Sequence, residues 1–216
     1  MPDMPRRLPY MSWPTSHLYS EPMDSILTFD HLLEILGFII GVVYLWWEYH
    51  ADVRVWIASM IMPAISMWVY FSKGIYADFG INIYYLIMAV YGYAMWKTGL
   101  GKEKKPIPIT HAPVWAWMVI VVGAAAIWAV LAWFLENYTD STVPRIDAFT
   151  TALSIVGTWA MARKYAEQWL IWVVVDVVST GLYAYKGLIF YPVLYGIYTV
   201  VAVFGYFKWI RLMKDK

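Results

Sequence analysis

Residues 167–187, EQWLIWVVVDVVSTGLYAYKG, decide the fold, because they are apolar and long enough to cross a bilayer. One carboxylate, Asp176, interrupts the run nine positions after Glu167. A helix rises ~1.5 Å per residue, so Asp176 is predicted to lie roughly 14 Å into a bilayer core of ~30 Å. An ionisable side chain at that depth costs at least ~2.5 kcal/mol, which by default indicates a functional site.

One face of this predicted helix is polar and aromatic. Its members recur at alternating steps of three and four residues: Trp169, Trp172, Asp176, Ser179 and Tyr183, with Gln168 at the border. Indole planes, an amide, a carboxylate and a hydroxyl together suit a flat ligand that is polar or cationic. The alternative is that the tryptophans belong to an interfacial belt and that Asp176 pairs with a neighbouring helix.

The composition indicates an integral membrane protein. Of the 216 residues, 62% are hydrophobic and 14% are charged, and the mean hydropathy is +0.55. A soluble domain of this size could not bury so much apolar side chain. The net charge of +1 gives no reason to expect a nucleic-acid partner. The chain has no cysteine, which excludes disulfides and thiolate metal sites.

Hydropathy and its polar, glycine or proline breaks predict seven transmembrane helices. The predicted spans are 32–49, 55–72, 79–97, 113–135, 147–163, 167–185 and 190–209. The tails and loops on one side of these spans carry eleven Lys or Arg residues, and those on the other side carry five. Because positive charge marks the cytoplasmic side, the N-terminus is predicted outside and the C-terminus in the cytoplasm.

An internal repeat relates the two ends of the chain. Residues 56–96 and 169–209 align without a gap at an offset of 113, with eleven identities in 41 positions, among them Trp56/Trp169, Gly92/Gly205 and Trp96/Trp209. Helices 2 and 3 therefore repeat as helices 6 and 7, and by continuity helix 1 corresponds to helix 5. Helix 4 restores the direction, so the repeats are parallel, a transporter plan with the substrate site near mid-membrane.

This 3+1+3 plan sets the expected domain boundaries. Residues 1–25 form an extracytoplasmic tail, 26–98 the first three-helix repeat, 99–140 a basic loop with helix 4, 141–210 the second repeat, and 211–216 a cytoplasmic tail. The repeats differ where Asp176 aligns with Pro63 and Trp172 with Ser59. Such a difference suggests an asymmetric ligand held between the halves.

Polar and aromatic residues on other helices are predicted to converge on the same interior. They are Asn82 and Tyr85 on helix 3, Thr151 with Trp159 beside it on helix 5, and Tyr195 and Tyr198 on helix 7. Membrane Ser and Thr often bond only their own backbone, and tyrosines near helix ends often belong to the interfacial belt. The convergence of several helices favours a binding site over packing alone.

Nothing in the sequence indicates an enzyme, a metal site or a cofactor. The four histidines, at positions 17, 31, 50 and 111, lack metal-ligand spacing. No serine has a visible base partner, and no phosphate-cradling loop of the G-x-x-x-x-G-K-S/T type is present, so direct drive by ATP is not expected.

Three runs resemble the PnuC family of vitamin transporters: GTWAMARKYAEQWLIWVVVD (157–176), NIYYLIMAVYGYAMW (82–96) and LYGIYTVVAVFGYFKW (194–209). The resemblance implies a 3+1+3 fold similar to an expanded SWEET transporter, a homotrimer, and a bacterial inner membrane. It implies facilitated diffusion of an unphosphorylated vitamin, most often nicotinamide riboside, which a cytoplasmic kinase traps. The family also contains thiamine and riboflavin carriers.

The resemblance leaves the vitamin open. Nicotinamide riboside carriers often have Asn near the position of Asp176, and YADFGINIYYL (76–86) resembles the thiamine branch. In a uniporter, Trp169 and Trp172, with Trp159, would stack on the ligand ring, where a cation over an indole gains roughly 0.5–2 kcal/mol. Asp176 would offset the ring charge, and the other polar candidates would hydrogen-bond hydroxyls or an amide. A proton-coupled transporter with Asp176 as the relay is the alternative mechanism.

Overall fold

The computed structural model describes residues 40–72, 76–99, 105–139, 141–186 and 190–215. Its larger compact unit spans Val42–Lys216 and contains everything discussed below. The predicted tail 1–25 and the first part of the predicted helix 1 lie outside the described residues.

The described chain is helical, and its seven helices confirm the all-α prediction. Helix α1 is described over 40–49, and it is followed by α2 (Val55–Ser72), α3 (Tyr76–Thr98), α4 (Val114–Tyr138), α5 (Pro144–Ala162), α6 (Gln168–Tyr185) and α7 (Phe190–Lys214). Helices α4 and α7 continue several residues past their predicted ends, because hydropathy alone does not detect a helix that extends beyond the apolar core. Within the described ranges the only β pairing is an isolated bridge between Thr110 and Tyr165.

The outer surface of the helices is apolar. Helices α4, α6 and most of α7 are each long and apolar enough to cross a membrane, and α2 contains a shorter apolar run. In α4 only Ala116, Ile120 and Ala132 are buried, while Val122 is 66% exposed. Exposed apolar surface of this extent is not tolerated on a water-soluble monomer, so the helices present it to lipid.

Four tryptophans form the centre of the core, and we call them the tryptophan cluster: Trp56, Trp96, Trp169 and Trp209. Trp56 meets Trp96 edge-on with ring centroids 5.5 Å apart, and Trp169 meets Trp209 edge-on at 5.9 Å. Edge-to-face packing is favoured by the quadrupoles of the rings. The two pairs occupy positions that the sequence repeat relates.

Two glycines make room for these rings. A Cβ at Gly92 would lie 2.4 Å from the Trp56 ring, and a Cβ at Gly205 would lie 2.7 Å from the Trp169 ring. Any side chain larger than hydrogen would therefore displace a buried indole. The identities Gly92/Gly205 and Trp56/Trp169 in the sequence thus correspond to one packing contact made twice.

The cluster also makes two hydrogen bonds to distant backbone. Trp96 Nε1 donates to the carbonyl of Met161 at 3.2 Å, and Trp209 Nε1 donates to the carbonyl of Glu48 at 3.0 Å. The two donors, Trp96 and Trp209, are 113 residues apart, and so are the two acceptors, Glu48 and Met161. Helices α1 and α5 therefore receive equivalent contacts from the other half of the chain.

The short turns after α1 and α5 share an unusual backbone conformation. Ala51 has φ 52° and Lys164 has φ 55°, and these positions are also 113 apart. The left-handed region is uncommon for residues other than glycine. After the first turn, Arg54 hydrogen-bonds the Asp52 carboxylate at 2.6–3.0 Å and holds its pKa below the usual value.

The segment that precedes α4 is attached to the turn between α5 and α6. Thr110 N–H donates to the Lys164 carbonyl at 3.1 Å, and Ala166 N–H donates to the Thr110 carbonyl at 3.0 Å. The Glu167 carboxylate accepts from the N–H of Ala112 at 2.8 Å and lies 2.6 Å from Nδ1 of His111. These bonds fix the start of α6.

At the opposite end of the helices an ion pair joins α5 to the end of α6. Lys186 Nζ lies 3.2 Å from Oδ1 of Asp147, whose other oxygen accepts from the Ser141 hydroxyl at 2.7 Å. A separate, more exposed pair joins Arg145 to Glu136 at 2.6 Å.

Candidate functional site

Asp176 lies in the interior, halfway along α6. Its side chain is 6% exposed, and among the described residues no side chain or backbone group forms a hydrogen bond or ion pair with its carboxylate. Gln168, Trp169 and Ser179 are also buried on this helix, while Trp172 and Tyr183 are half-buried. The polar and aromatic face predicted from the spacing thus points inward.

Helix α7 brings two predicted residues to this carboxylate. Tyr195 and Tyr198 both lie within electrostatic range of Asp176, and their rings meet edge-on with centroids 5.9 Å apart. Tyr195 also stacks on Tyr183 at 5.2 Å and 17°, and Tyr183 stacks on Tyr191 at 5.1 Å and 28°. The three stacked rings, Tyr183, Tyr191 and Tyr195, form a tyrosine stack that leads from Asp176 toward the Lys186–Asp147 end.

Gln168 contacts a residue that the sequence analysis missed. Its Nε2 donates to Oε1 of Glu48 at 3.1 Å, and both residues are almost fully buried, at 0% and 3% exposure. The Glu48 carboxylate lies within electrostatic range of Asp176. The signal available in the sequence was an acidic residue inside the predicted first span, where its repeat equivalent is the apolar Met161.

Helix α3, in the first half of the chain, carries two further tyrosines and the predicted Asn82. The Tyr85 ring meets Tyr84 edge-on at 5.5 Å, and Tyr84 donates its hydroxyl to the carbonyl of Ile155 at 2.7 Å. Tyr85 is within electrostatic range of Tyr44, which in turn is within range of Glu48. Asn82 is half-buried on the same helix. Tyr44 and Tyr84 were not among the predicted residues, because nothing in their local spacing separates them from packing tyrosines.

The predicted tryptophans differ in their surroundings. Trp169 is 2% exposed and packs on Gly205 and Trp209 in the tryptophan cluster. Trp172 is half-buried between two parts of the core, and its buried Nε1 has no hydrogen-bond partner among the described residues. Trp159 meets Trp115 at 6.1 Å and Tyr165 at 6.0 Å, toward α4. Of the three, Trp159 and Trp172 are half-buried, whereas Trp169 is enclosed.

The hydroxyl groups of α5 donate hydrogen bonds to the backbone of the same helix. Thr151 donates to the carbonyl of Asp147 at 2.8 Å, and Ser154 and Thr158 make the same bond four residues back. This is the alternative that the sequence left open for membrane Ser and Thr. Thr151 remains half-buried, and its oxygen keeps acceptor capacity.

The described interior contains buried carboxylates and, in Trp169 and Trp172, buried indole N–H groups without partners. Glu48 and Asp176 are buried carboxylates, whereas the described Lys and Arg residues lie in the connections or near helix ends. The buried ammonium of Lys164, for example, sits over the Trp96 ring at 4.5 Å in the α5–α6 turn. The described residues contain no group of three or more His, Cys, Asp or Glu side chains that could hold a metal. The arrangement can hold a ligand that donates hydrogen bonds or carries positive charge.

Comparison with known proteins assigns the family. Residues 31–211 match the family described as nicotinamide mononucleotide transporter. The chain is 27% identical to the nicotinamide riboside transporter PnuC of Neisseria mucosa over 167 residues, which cover 72% of this chain and 63% of that protein. The chain belongs to the PnuC transporter family.

Two further similarities place the chain within this family. It is 24% identical over 198 residues to the riboflavin/roseoflavin transporter RibM of Streptomyces davaonensis, covering 89% of this chain and 92% of that protein. It is 22% identical over 172 residues to the Escherichia coli nicotinamide riboside transporter PnuC, covering 68% of this chain and 72% of that protein. The relatives of this chain are thus named for different vitamins.

The fold of the PnuC family agrees with the helices described above. The crystal structure of the vitamin B3 transporter PnuC superposes with a TM-score of 0.65 over 89% of this chain and 86% of that one, at 22% identity. Together with the apolar outer surface, membership of the PnuC family indicates a multi-pass membrane protein.

Proposed function

We propose that the chain imports an unphosphorylated vitamin, nicotinamide riboside, across a bacterial inner membrane. It acts as a transporter and not as an enzyme: transport is facilitated diffusion, and a cytoplasmic kinase traps the product. The observation that carries the proposal is the Asp176 carboxylate, which is buried at mid-span beside Tyr195 and Tyr198 without a cationic partner among the described residues. The names of the PnuC relatives supply the substrate class.

Charge favours an unphosphorylated ligand. Nicotinamide riboside carries one positive charge on its ring, which a buried carboxylate can offset. A mononucleotide would bring a phosphate into the same interior, where the buried carboxylates of Glu48 and Asp176 would repel it. Because the described Lys and Arg residues lie in connections or near helix ends, none is placed to compensate the phosphate at mid-span. Phosphorylation after release therefore prevents return.

We assign the residues around Asp176 as follows. Trp172 stacks on the ligand ring, Trp169 and Trp159 complete the aromatic wall, and hydrogen bonds come from the remaining candidates, namely Gln168, Asn82, Tyr85, Thr151, Tyr195 and Tyr198. Trp172 is half-buried on the same face of α6 as Asp176, which supports the first of these roles. The packing of Trp169 on Gly205 supports a role for Trp169 in positioning the start of α6.

We also propose the 3+1+3 arrangement of parallel, SWEET-like repeats with α4 as the linker, the repeats spanning 26–98 and 141–210. The equivalent bonds from Trp96 to Met161 and from Trp209 to Glu48 support it, because each joins one half to the equivalent helix of the other. Alternating access then comes from one repeat rocking against the other. The N-terminus lies outside, the C-terminus lies in the cytoplasm, and the assembly is a homotrimer.

Two alternatives have support of their own. Thiamine is also a singly charged cation, and YADFGINIYYL (76–86) resembles the thiamine branch of the family. Proton coupling is favoured by the approach of a second buried carboxylate, Glu48, to Asp176, since paired intramembrane carboxylates can relay protons. Tyr44, Gln168, Tyr195 and Tyr198 are the other polar groups around this pair.

Counterflow in proteoliposomes tests the proposal. Vesicles containing the purified protein are loaded with unlabelled nicotinamide riboside, thiamine, riboflavin or nicotinamide mononucleotide, and entry of the labelled compound is followed. Exchange of nicotinamide riboside but not of the mononucleotide, without ATP and at equal pH on both sides, is the expected result. Exchange of thiamine alone would establish the first alternative, and net uptake that requires an inward proton gradient would establish the second.

A further inference from the structure

Glu48 and Gln168 form a pair of acceptors at the turn end of the helices, close to the α1–α2 and α5–α6 turns. Glu48 is 3% exposed and Gln168 is 0% exposed. One hydrogen bond, from Gln168 Nε2 to Glu48 Oε1 at 3.1 Å, joins them. Within the described part of the chain, this is the hydrogen bond that the Glu48 carboxylate accepts, and the buried Gln168 Oε1 has no donor.

The pair thus carries more acceptors than donors. Buried polar groups in native proteins are normally paired, so the buried amide oxygen of Gln168, which has no donor among the described residues, indicates that a ligand supplies one. The described residues place no Lys or Arg against the carboxylate, whereas Asp176 adds a second carboxyl group within electrostatic range. A group with N–H or O–H donors, positive charge or both would complement this site.

Gln168 and Asp176 both lie on α6, and Gln168 links the predicted Asp176 site to Glu48 on α1. Gln168 and Asp176 are eight residues apart, which corresponds to about 12 Å along a helix. The Asp176 carboxylate lies within electrostatic range of Tyr195 and Tyr198, whereas the Glu48 carboxylate accepts from Gln168 and lies within electrostatic range of Tyr44. A ligand moving from the tyrosine stack toward the turn end would meet Asp176 first and Glu48 second.

We propose that Glu48, together with Gln168, forms a second ligand subsite that takes the cationic, hydrogen-bond-donating end of the substrate between Asp176 and the turn end. This inference rests on the proposed transport of a cationic vitamin. The contact of Glu48 with Trp209 does not involve the carboxylate, because Trp209 Nε1 donates to the backbone carbonyl of Glu48. Glu48→Gln therefore removes the charge while it leaves that backbone contact in place.

The test compares a cation with its uncharged form. Binding and counterflow of nicotinamide riboside and of its neutral 1,4-dihydro form are measured in proteoliposomes with wild type, Glu48→Gln and the control Glu136→Gln, whose carboxylate lies in α4 beside Arg145. We expect Glu48→Gln to weaken binding of the cation roughly tenfold, since truncating one member of a buried charge pair has large effects. Binding of the neutral form to Glu48→Gln should weaken by less than about twofold, the effect expected for removal of an exposed charge. The control Glu136→Gln should leave the binding of both forms unchanged.

A second variant tests the amide of the subsite, while unchanged binding of the neutral form to Glu48→Gln shows that this variant is folded. Gln168→Met removes the free acceptor without adding charge, and we expect it to weaken binding of both forms by a similar factor. Unchanged binding of both forms in Glu48→Gln and Gln168→Met would overturn the subsite while leaving the transport proposal in place. A wild-type protein that exchanges neither form would overturn the proposed function and the subsite with it.

Discussion

The indole rings of Trp96 and Trp209 lie against each other with centroids 5.8 Å apart and an interplanar angle of 59°. The two residues are repeat equivalents, and each also meets the first tryptophan of its own half edge-on. A contact between equivalent positions is what an axis relating the two repeats would produce. Because these rings are buried between the halves, any movement of one repeat against the other must slide or part them.

We predict that Gly92→Ala and Gly205→Ala each destabilise the protein. The added Cβ would meet a buried indole at 2.4 Å or 2.7 Å, and overpacking of this kind costs about 1–3 kcal/mol. The measurement is the apparent midpoint of thermal unfolding in detergent. Gly196→Ala is the matched control, because a Cβ there would meet nothing within 4 Å. Equal midpoints for all three variants would show that the glycine–tryptophan contacts are not formed.

We predict that Trp96→Phe and Trp209→Phe lower stability by similar amounts. Each leaves a buried backbone carbonyl, of Met161 or of Glu48, without its indole donor, and the loss is about 0.5–1.5 kcal/mol for the hydrogen bond. Trp133→Phe serves as the control, since Trp133 is 57% exposed on α4. A loss confined to one of the two core variants would contradict the equivalence of the two contacts.

We predict that Glu167→Ala loosens the start of α6. The Glu167 side chain is about 10% exposed, and it accepts the Ala112 N–H and contacts His111, so its removal strands a backbone donor at a cost of about 1–3 kcal/mol. Hydrogen exchange at Ala112 and at the first turn of α6 should rise. Glu136→Ala, which breaks a more exposed pair with Arg145, should change stability by less than about 1 kcal/mol. Unaltered exchange in Glu167→Ala would show that the attachment is not formed.

The helices could be predicted from the sequence because hydropathy and helical spacing are local properties. The inward face of α6, with Asp176 and Gln168, followed from steps of three and four residues. The repeat at offset 113 likewise marked Trp56 and Trp169 as equivalent before their contacts with glycine were known.

Contacts between distant parts of the chain could not be predicted in the same way. Glu48 and Gln168 are 120 residues apart, and no local pattern distinguishes a carboxylate buried against another helix from an exposed one near the end of a span. The roles of the hydroxyls were also undetermined, because whether Thr151 bonds its own helix depends on a rotamer that the sequence does not encode. Such contacts appear only when the helices are packed.

The most direct test of the account is equilibrium binding of nicotinamide riboside to the purified protein, compared between wild type and Asp176→Asn. Calorimetry gives the dissociation constant, and Asp215→Asn, at the exposed end of the chain, is the control. The account predicts binding to wild type and to the control and at least about tenfold weaker binding to Asp176→Asn, which corresponds to about 1.4 kcal/mol. Equal affinity of all three proteins would contradict the claim that the buried carboxylate of α6 faces the ligand.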